Sequence, residues 1–417
     1  MRFRTELAGQ HIELRKGLSY KGSNLVDESE VGLLTIDAFI TGGGYKRGSE
    51  KPYDGDYKNE HVAEPGDVLL AMTEQQEGLL ASPLKVPEDL GGMSELVFSL
   101  DVAKVIATSG EVRPEFLFNF LRVPINRRRA AYGDTGTTVQ RLPYDVIYEQ
   151  LIPLPSVEEQ DRINSFIATL DRKIELNTAM AATMERIAHS IFKSWFIDFD
   201  PVKAKMAGVK PVGMDDATAA LFPDSMEDSE LGQIPTGWSK SSMGNFVQAR
   251  RGKVITKSKT SEGSIPVIAG GLEPAYFHNV ANVLWPAVTV SASGANAGFV
   301  RLNLEDIWAS DCSYISKSET ESVYTCYLFL KVQQEVIFSM QQGGAQPHIY
   351  PSDLSRLNFP VPGDLRIFER FEGLIAVMFE KVRSLNNQTA LFIAIRDSLL
   401  PRLISGELQI PEEMLVS

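Results

Sequence analysis

Asp54, Asp56 and Lys58 fall within Pro52-Tyr-Asp-Gly-Asp56-Tyr-Lys58. An Asp-x-Lys triplet serves a magnesium nuclease when a further carboxylate on a neighbouring strand completes the metal site. The same stretch, rich in Gly, Pro, Asp and Lys, also has the composition of a plain turn. Other catalytic patterns are missing. Cys312 and Cys326 are too few and too far apart for a zinc site or a disulfide framework, and the five histidines form no His-Glu-x-x-His pair. There is no Gly-x-x-x-x-Gly-Lys-Ser/Thr loop to cradle a nucleoside triphosphate. An Asn/Asp-Pro-Pro-Tyr/Phe word for methyl transfer to adenine is lacking, as is a Gly-x-Ser-x-Gly nucleophile elbow. Gly42-Gly-Gly44 and Gly294-Ala-Asn-Ala-Gly298 read as turns.

Binding chemistry is better represented. Thr41, Tyr45, Lys46 and Arg47 combine glycines, an aromatic ring and cations in one loop, a composition suited to entering a DNA groove. Thr137, Thr138, Gln140 and Arg141 offer hydroxyls, an amide able to pair adenine and a guanidinium able to pair guanine or phosphate. Gln346 and His348 stand in a similar segment further on. Arg127, Arg128 and Arg129, with Arg122 nearby, form the densest basic run, and Arg250, Arg251, Lys253, Lys257 and Lys259 form a second. Ser293, Gly294 and Asn296 could reach base edges from a loop. Each of these groups also has an ordinary reading as a solvated turn or charged helix face.

Two long elements must carry these segments, because the chain contains itself twice. Gly136-Thr-Thr-Val-Gln-Arg-Leu-Pro143-Tyr-Asp145 aligns with Gly344-Ala-Gln-Pro-His-Ile-Tyr-Pro351-Ser-Asp353 at an offset of 208 (344 minus 136). Both run into a Pro-containing exit, Leu151 to Pro155 and Asn358 to Pro362, with one residue deleted in the second. Ile163, Ile167, Leu170, Ile174, Asn177, Ala181, Met184, Ala188, Ile191 and Trp195 then keep the 4-3-4-3 spacing of a heptad seam. Adding the same offset gives Phe371, Ile375, Met378, Val382, Leu385, Thr389, Phe392, Arg396, Leu399 and Leu403, apolar but for Thr389 and Arg396. Pro155 and Pro362 suit the helix starts, and Gly208 and Gly406 lie near or beyond the ends. Asn177 is a candidate for fixing register.

The segments before the helices alternate short apolar runs with Gly, Pro and Asn turns, as mixed strand and helix do. They start alike, Ile12-Glu-Leu-Arg-Lys-Gly17 against Val247-Gln-Ala-Arg-Arg-Gly252, and then diverge. The expected fold is α+β, with two mixed α/β domains separated by two long antiparallel coiled-coil helices in a pseudo-twofold internal repeat. Its parts are a domain over 1–154, a helix over 155–200, a surface linker over 201–235, a domain over 236–362, a helix over 363–405 and a tail over 406–417. No apolar run approaches the roughly 18 residues of a membrane span, so no membrane role and a cytoplasmic location are expected. A net charge of −13 excludes coating nucleic acid by bulk electrostatics.

Phe192-Lys-Ser-Trp-Phe-Ile-Asp-Phe-Asp-Pro201-Val-Lys-Ala-Lys205, Leu221-Phe-Pro223 and Leu231-Gly-Gln-Ile-Pro-Thr-Gly-Trp238 resemble the linker and second-domain start of the specificity subunits of type I restriction-modification enzymes. The resemblance covers nearly the whole chain. The residues Met1 to Gly9 depart from it by lacking an Ile-Pro-x-Gly-Trp word. It implies two target-recognition domains reading a bipartite, asymmetric site in double-stranded DNA. It further implies a non-catalytic chain that binds two methyltransferase subunits, which motor-nuclease subunits then join. S-adenosylmethionine, ATP and magnesium would belong to those partners, and Trp195 and Phe196 are candidate contacts to the methyltransferase. The alternatives are a divergent single-chain nuclease using Asp54, Asp56 and Lys58, and a protein scaffold that needs no DNA.

Overall fold

Val157–Phe196 and Arg366–Ile404 are both helical, and every position of the two heptad series is buried or half-buried. In each, a polar side chain just before the helix accepts a backbone N–H of the first turn: Ser156 Oγ from Glu159 at 3.3 Å, and Asp364 Oδ1 from Arg366 at 3.0 Å. The computed structural model describes residues 3–74, 78–131, 140–230, 232–343 and 346–411. They form two units, Met1–Glu175 with Ala390–Ser417, and Leu176–Thr389, so each long helix contributes to both.

In the first unit, Val68–Ala71 is the strand from which both cores grow. Alternate side chains of a strand face opposite sides, and all four here are buried: Val68 and Leu70 in one cluster, Leu69 and Ala71 in another. The antiparallel sheet runs Ile12–Lys16, Val102–Ala107, Val68–Ala71, Pro83–Lys85. A second sheet sets Val31–Leu34 between Lys51–Pro52, antiparallel, and Glu95–Phe98, parallel. Helix Pro114–Arg122 buries Phe116, Leu117, Phe120 and Leu121 in the cluster that also takes Ile163, Ile167, Leu400 and Leu403 from the long helices.

The second unit repeats this topology. Its antiparallel sheet runs Arg250–Arg251, Cys312–Ser316, Ala287–Ser291, Val300–Asn303. Ile265–Ile268 again sits between an antiparallel neighbour, Tyr276–His278, and a parallel one, Trp308–Ala309. Helix Val323–Val332 takes the place of Pro114–Arg122, and its first turn is held by Glu372, whose carboxylate accepts from the Tyr324 and Thr325 N–H groups at 2.9 and 2.8 Å. Within this unit Phe192 meets Phe371 and Asn177 Nδ2 donates to Gln388 Oε1, so rising numbers on one helix meet falling numbers on the other and the two segments are antiparallel.

Strand register refines the repeat. Arg4 pairs with Leu154, and Ser239 with Val361. The first strands are therefore related by 235 (239 minus 4) and the exits by 207 (361 minus 154). The N-terminus thus docks on its exit strand without an Ile-Pro-x-Gly-Trp word, because backbone pairing needs no particular side chains. The stretch 201–235 differs from a plain surface linker. Val202, Met214, Phe222 and Ile234 are buried in the second unit's core, and Met226–Ser229 pairs with Gly232–Pro235 as a hairpin. Apolar anchors set among its acidic residues tie it down.

Gly17 and Gly252, aligned by sequence, share a physical reason. A Cβ on Gly17 would lie 2.2 Å from the Ser99 carbonyl oxygen, and one on Gly252 2.3 Å from that of Ser310. Gly17→Ala and Gly252→Ala are each expected to destabilise the chain by about 1–3 kcal/mol, since a backbone atom must move to admit the methyl. Urea unfolding checks this, and a change below about 0.5 kcal/mol would show that the turn yields freely.

Candidate nucleic-acid interface

Beyond these glycines the two units carry the same hydrogen-bond circuit. In the first, Gly17 N–H donates to Val102, Met72 N–H to Asp101 and Leu142 N–H to Met72, at 3.2, 2.9 and 2.8 Å. In the second, Gly252 N–H donates to Cys312, Ala292 N–H to Asp311 and Ile349 N–H to Ala292, at 2.8, 3.1 and 3.0 Å. Leu142 is thereby matched to Ile349, an offset of 207 (349 minus 142). The sequence alignment on Pro143 and Pro351 was displaced by one residue, and Arg141, rather than Gln140, is the counterpart of His348.

Side chains gather on this circuit. Arg141 Nη2 donates to Asp101 Oδ1 at 2.9 Å, and Arg251 Nη2 to Asp311 Oδ1 at 2.6 Å. Ser293 Oγ donates to the other Asp311 oxygen, and Ser293 forms a β-bridge with His348, whose ring stacks beside Tyr350. Lys16, Arg141, Pro143 and Tyr144 line a cleft of about 420 Å³ in the first unit. Burial pushes the Tyr144 phenol up, with the neighbouring Tyr148 phenol group adding to the effect electrostatically and the Arg141 charge opposing it. Thr73, opposite Arg141 in the strand pair Thr73–Glu74 with Gln140–Arg141, is the counterpart of Ser293, and its buried hydroxyl has no partner among the described residues.

The first glycine loop meets the basic run. Gly42, Gly43 and Gly44 take φ of 91°, 106° and 137°, the left-handed side open to glycine, and a Cβ on Gly42 would meet the Arg127 guanidinium at 3.8 Å. Arg127 donates to the carbonyls of Leu121 and Arg122 at the end of helix Pro114–Arg122. Burial, with Arg128 beside it, lowers the Arg127 pKa. Thr41 and Lys46 are exposed, Tyr45 is half-buried with an unpartnered hydroxyl among the described residues, and Arg47 pairs with Asp89 at 3.1 Å. Arg128 is exposed. Thr137 and Thr138 lie outside the described residues, as do the side chains of Arg129 and Gln140.

In the second unit Arg250 pairs with Glu319 at 2.9 Å. Burial alone would raise the Glu319 carboxyl, but bonds from Ser318 and Ser316 and the charge of Arg250 hold it below the usual range. Lys253, Lys257 and Lys259 are exposed, and no ion pair engages them among the described residues. Gln346 is exposed and Asn296 half-buried in the turn that follows Gly294.

Residues 235–387, from the second unit's hairpin into its long helix, match the family described as type I restriction modification DNA specificity domain. The type I restriction enzyme MjaIX specificity subunit of Methanocaldococcus jannaschii is 25% identical over 301 residues, 66% of this chain and 65% of that protein. The HindI specificity subunit of Haemophilus influenzae is 25% identical over 365 residues, 71% of this chain and 78% of that one. The second unit thus matches that family's domain, and over 66–71% of its length the chain is similar to type I specificity subunits. It spans just under two thirds of the archaeal relative's length. In fold, the chain is similar to the type I S subunit of M. genitalium, with a TM-score of 0.57 at 14% identity, covering 97% of this chain and 96% of that one.

Trp195 and Phe196 are core residues, 7% and 2% exposed. They pack with Phe222, Trp238, Phe368 and Phe371, so neither presents a surface to a partner. Sequence reading missed Lys16, Thr73, Asp101 and Asp311. The repeated glycines Gly17 and Gly252 were the signal that could have led to them, through the backbone atoms they approach.

Asp54, Asp56 and Lys58 stand exposed in their loop, Lys58 pairing with Glu60 at 3.4 Å. Among the described residues no third carboxylate joins them in a metal-holding group. The trio with suitable spacing there, Glu6, His11 and Glu111, is already engaged by Arg4 and Ser109. Cys312 and Cys326 are buried, and burial pushes the Cys312 thiol up to about 12 and Cys326 higher still, which keeps both as unreactive thiols. No helix among the described residues is long and apolar enough to cross a membrane.

Proposed function

We propose that this chain is the sequence-reading subunit of a type I restriction-modification complex, each unit reading one half of a bipartite, asymmetric DNA site. The supporting observation is the duplication of one domain topology, down to the Asp101 and Asp311 circuits, on otherwise divergent sequence. Two methyltransferase subunits would bind it, motor-nuclease subunits would join through them, and S-adenosylmethionine, ATP and magnesium would reside on those partners. The chain itself would perform no covalent step. Its net charge of −13 is then compatible with DNA, because partners supply phosphate contacts while this chain supplies base readout.

Sequencing of methylated adenines in cells expressing the chain with its methyltransferase, against the methyltransferase alone, is the test. One split, asymmetric motif found only with this chain is the expected result. An assembled complex that methylates no motif and protects no DNA would replace this reading with protein scaffolding, and magnesium-dependent cleavage by the isolated chain would replace it with a nuclease. Lys257→Ala and Lys259→Ala are each expected to weaken binding to all sequences alike and to reduce the slope of log K against log salt by roughly 0.9. An altered motif at unchanged slope would instead assign those lysines to base reading.

A further inference from the structure

We propose that Asp101 and Asp311 are matched positioning residues, each fixing one guanidinium of its own unit, Arg141 or Arg251, for contact with one half of the DNA site. The inference rests on the DNA-reading function proposed above. A carboxylate on a face that meets phosphates is repulsive unless a cation neutralises it, so its recurrence in both copies calls for a reason. The backbone supplies the first part. Asp101 and Asp311 occupy the same place in the two circuits, each accepting through its carbonyl from the residue that in turn accepts from Leu142 or Ile349. The cations come from different strands, Arg141 from the exit side and Arg251 from the first strand, yet each donates to the Oδ1 of its aspartate.

An aspartate kept while the route of its cation changes is the pattern of a holder, because a guanidinium presented to an acceptor must have its plane set. Arg141 and Arg251 keep side-chain exposures of 54% and 39%. Among the described residues each spends donors on that one carboxylate only. Most of the five donors of each fork therefore remain for a base edge. In the second unit Ser293 Oγ holds the other Asp311 oxygen, which fixes the carboxylate itself.

The test is methylated-adenine sequencing of the full methyltransferase complex carrying Asp101→Asn or Asp311→Asn, with thermal unfolding measured alongside. Each variant is expected to raise methylation of sites mismatched in one half by about tenfold. The two variants should affect different halves, at unchanged assembly and melting temperature. Uniform loss of DNA binding, with the motif intact, would show that the fork holds phosphate and would overturn a role in reading. Wild-type sequence preference in both variants would reduce the carboxylates to surface ion pairs. A wild-type complex with no motif would overturn the DNA-reading function first and this inference with it. Ser293→Ala and Arg141→Lys keep the aspartates in place, and should relax one half-site each even if the asparagine variants fold poorly. Unaltered motifs in both would count against the proposal.

Discussion

Phe371→Ala is expected to destabilise the chain by about 3–5 kcal/mol, the range for removing a fully buried phenyl ring. Phe371 is 0% exposed, and its ring lies 5.7, 5.5 and 5.0 Å from those of Phe192, Trp195 and Phe196. Edge-on pairs of this kind add to the loss from area alone. The contacts join the C-terminal long helix to the central one, and Trp195 in turn meets Phe222 at 5.4 Å. Deleting the ring therefore opens a cavity among rigid neighbours that cannot close over it. Urea unfolding followed by tryptophan fluorescence measures the effect, since Trp195 and Trp238 report on this cluster. A loss below about 1 kcal/mol would mean that the aromatic box repacks.

The second large effect belongs to Asp171. Its carboxylate accepts from Arg122 at 2.6 and 2.9 Å and from Arg396 at 3.1 Å, and the Arg122 side chain is only 6% exposed. Asp171→Ala leaves the buried Arg122 guanidinium with no anion and Arg396 with only the exposed Asp397, at 2.8 Å, and removing one member of a buried pair costs about 3–5 kcal/mol. The native pair need not be worth that much, since its formation dehydrates both charges. Burial by itself would raise the Asp171 pKa, but the bonds and charges of Arg122 and Arg396 outweigh it and hold the carboxyl below the usual aspartate range. A depressed folded pKa contributes stability above the unfolded value, and that contribution is lost as pH falls through the ordinary aspartate range towards the folded one. The gap between wild type and Asp171→Asn in urea should accordingly be wide near pH 7 and narrow in acid. A gap independent of pH would show that the carboxylate's charge is not what matters.

Arg396 also explains a polar position in an apolar seam. The heptad series placed it at a core site, and its charge is accommodated there because Asp171 lies opposite. Asn177 is likewise tolerated through Gln388, at 8% exposure. Periodicity identified where these side chains would go. It could not identify their partners, which lie 225 and 211 residues away.

What the sequence alone determined was local and repetitive. Helical spacing, two exits of similar wording and two matched glycines were enough to establish duplication, the register of both long helices and the resemblance to specificity subunits, because such patterns depend on neighbours a few residues apart. Tertiary structure decided the rest. Only the tertiary hydrogen bonds of Leu142 and Ile349 moved the joint by one residue, and only the fold set Arg141 against Asp101, 40 residues away, and Arg251 against Asp311, 60 away. Packing alone turned Trp195 and Phe196 inward and drew the acidic linker's apolar residues into a core. Contacts of that range depend on how separate strands and helices close on one another, and no local pattern of residue types records that choice.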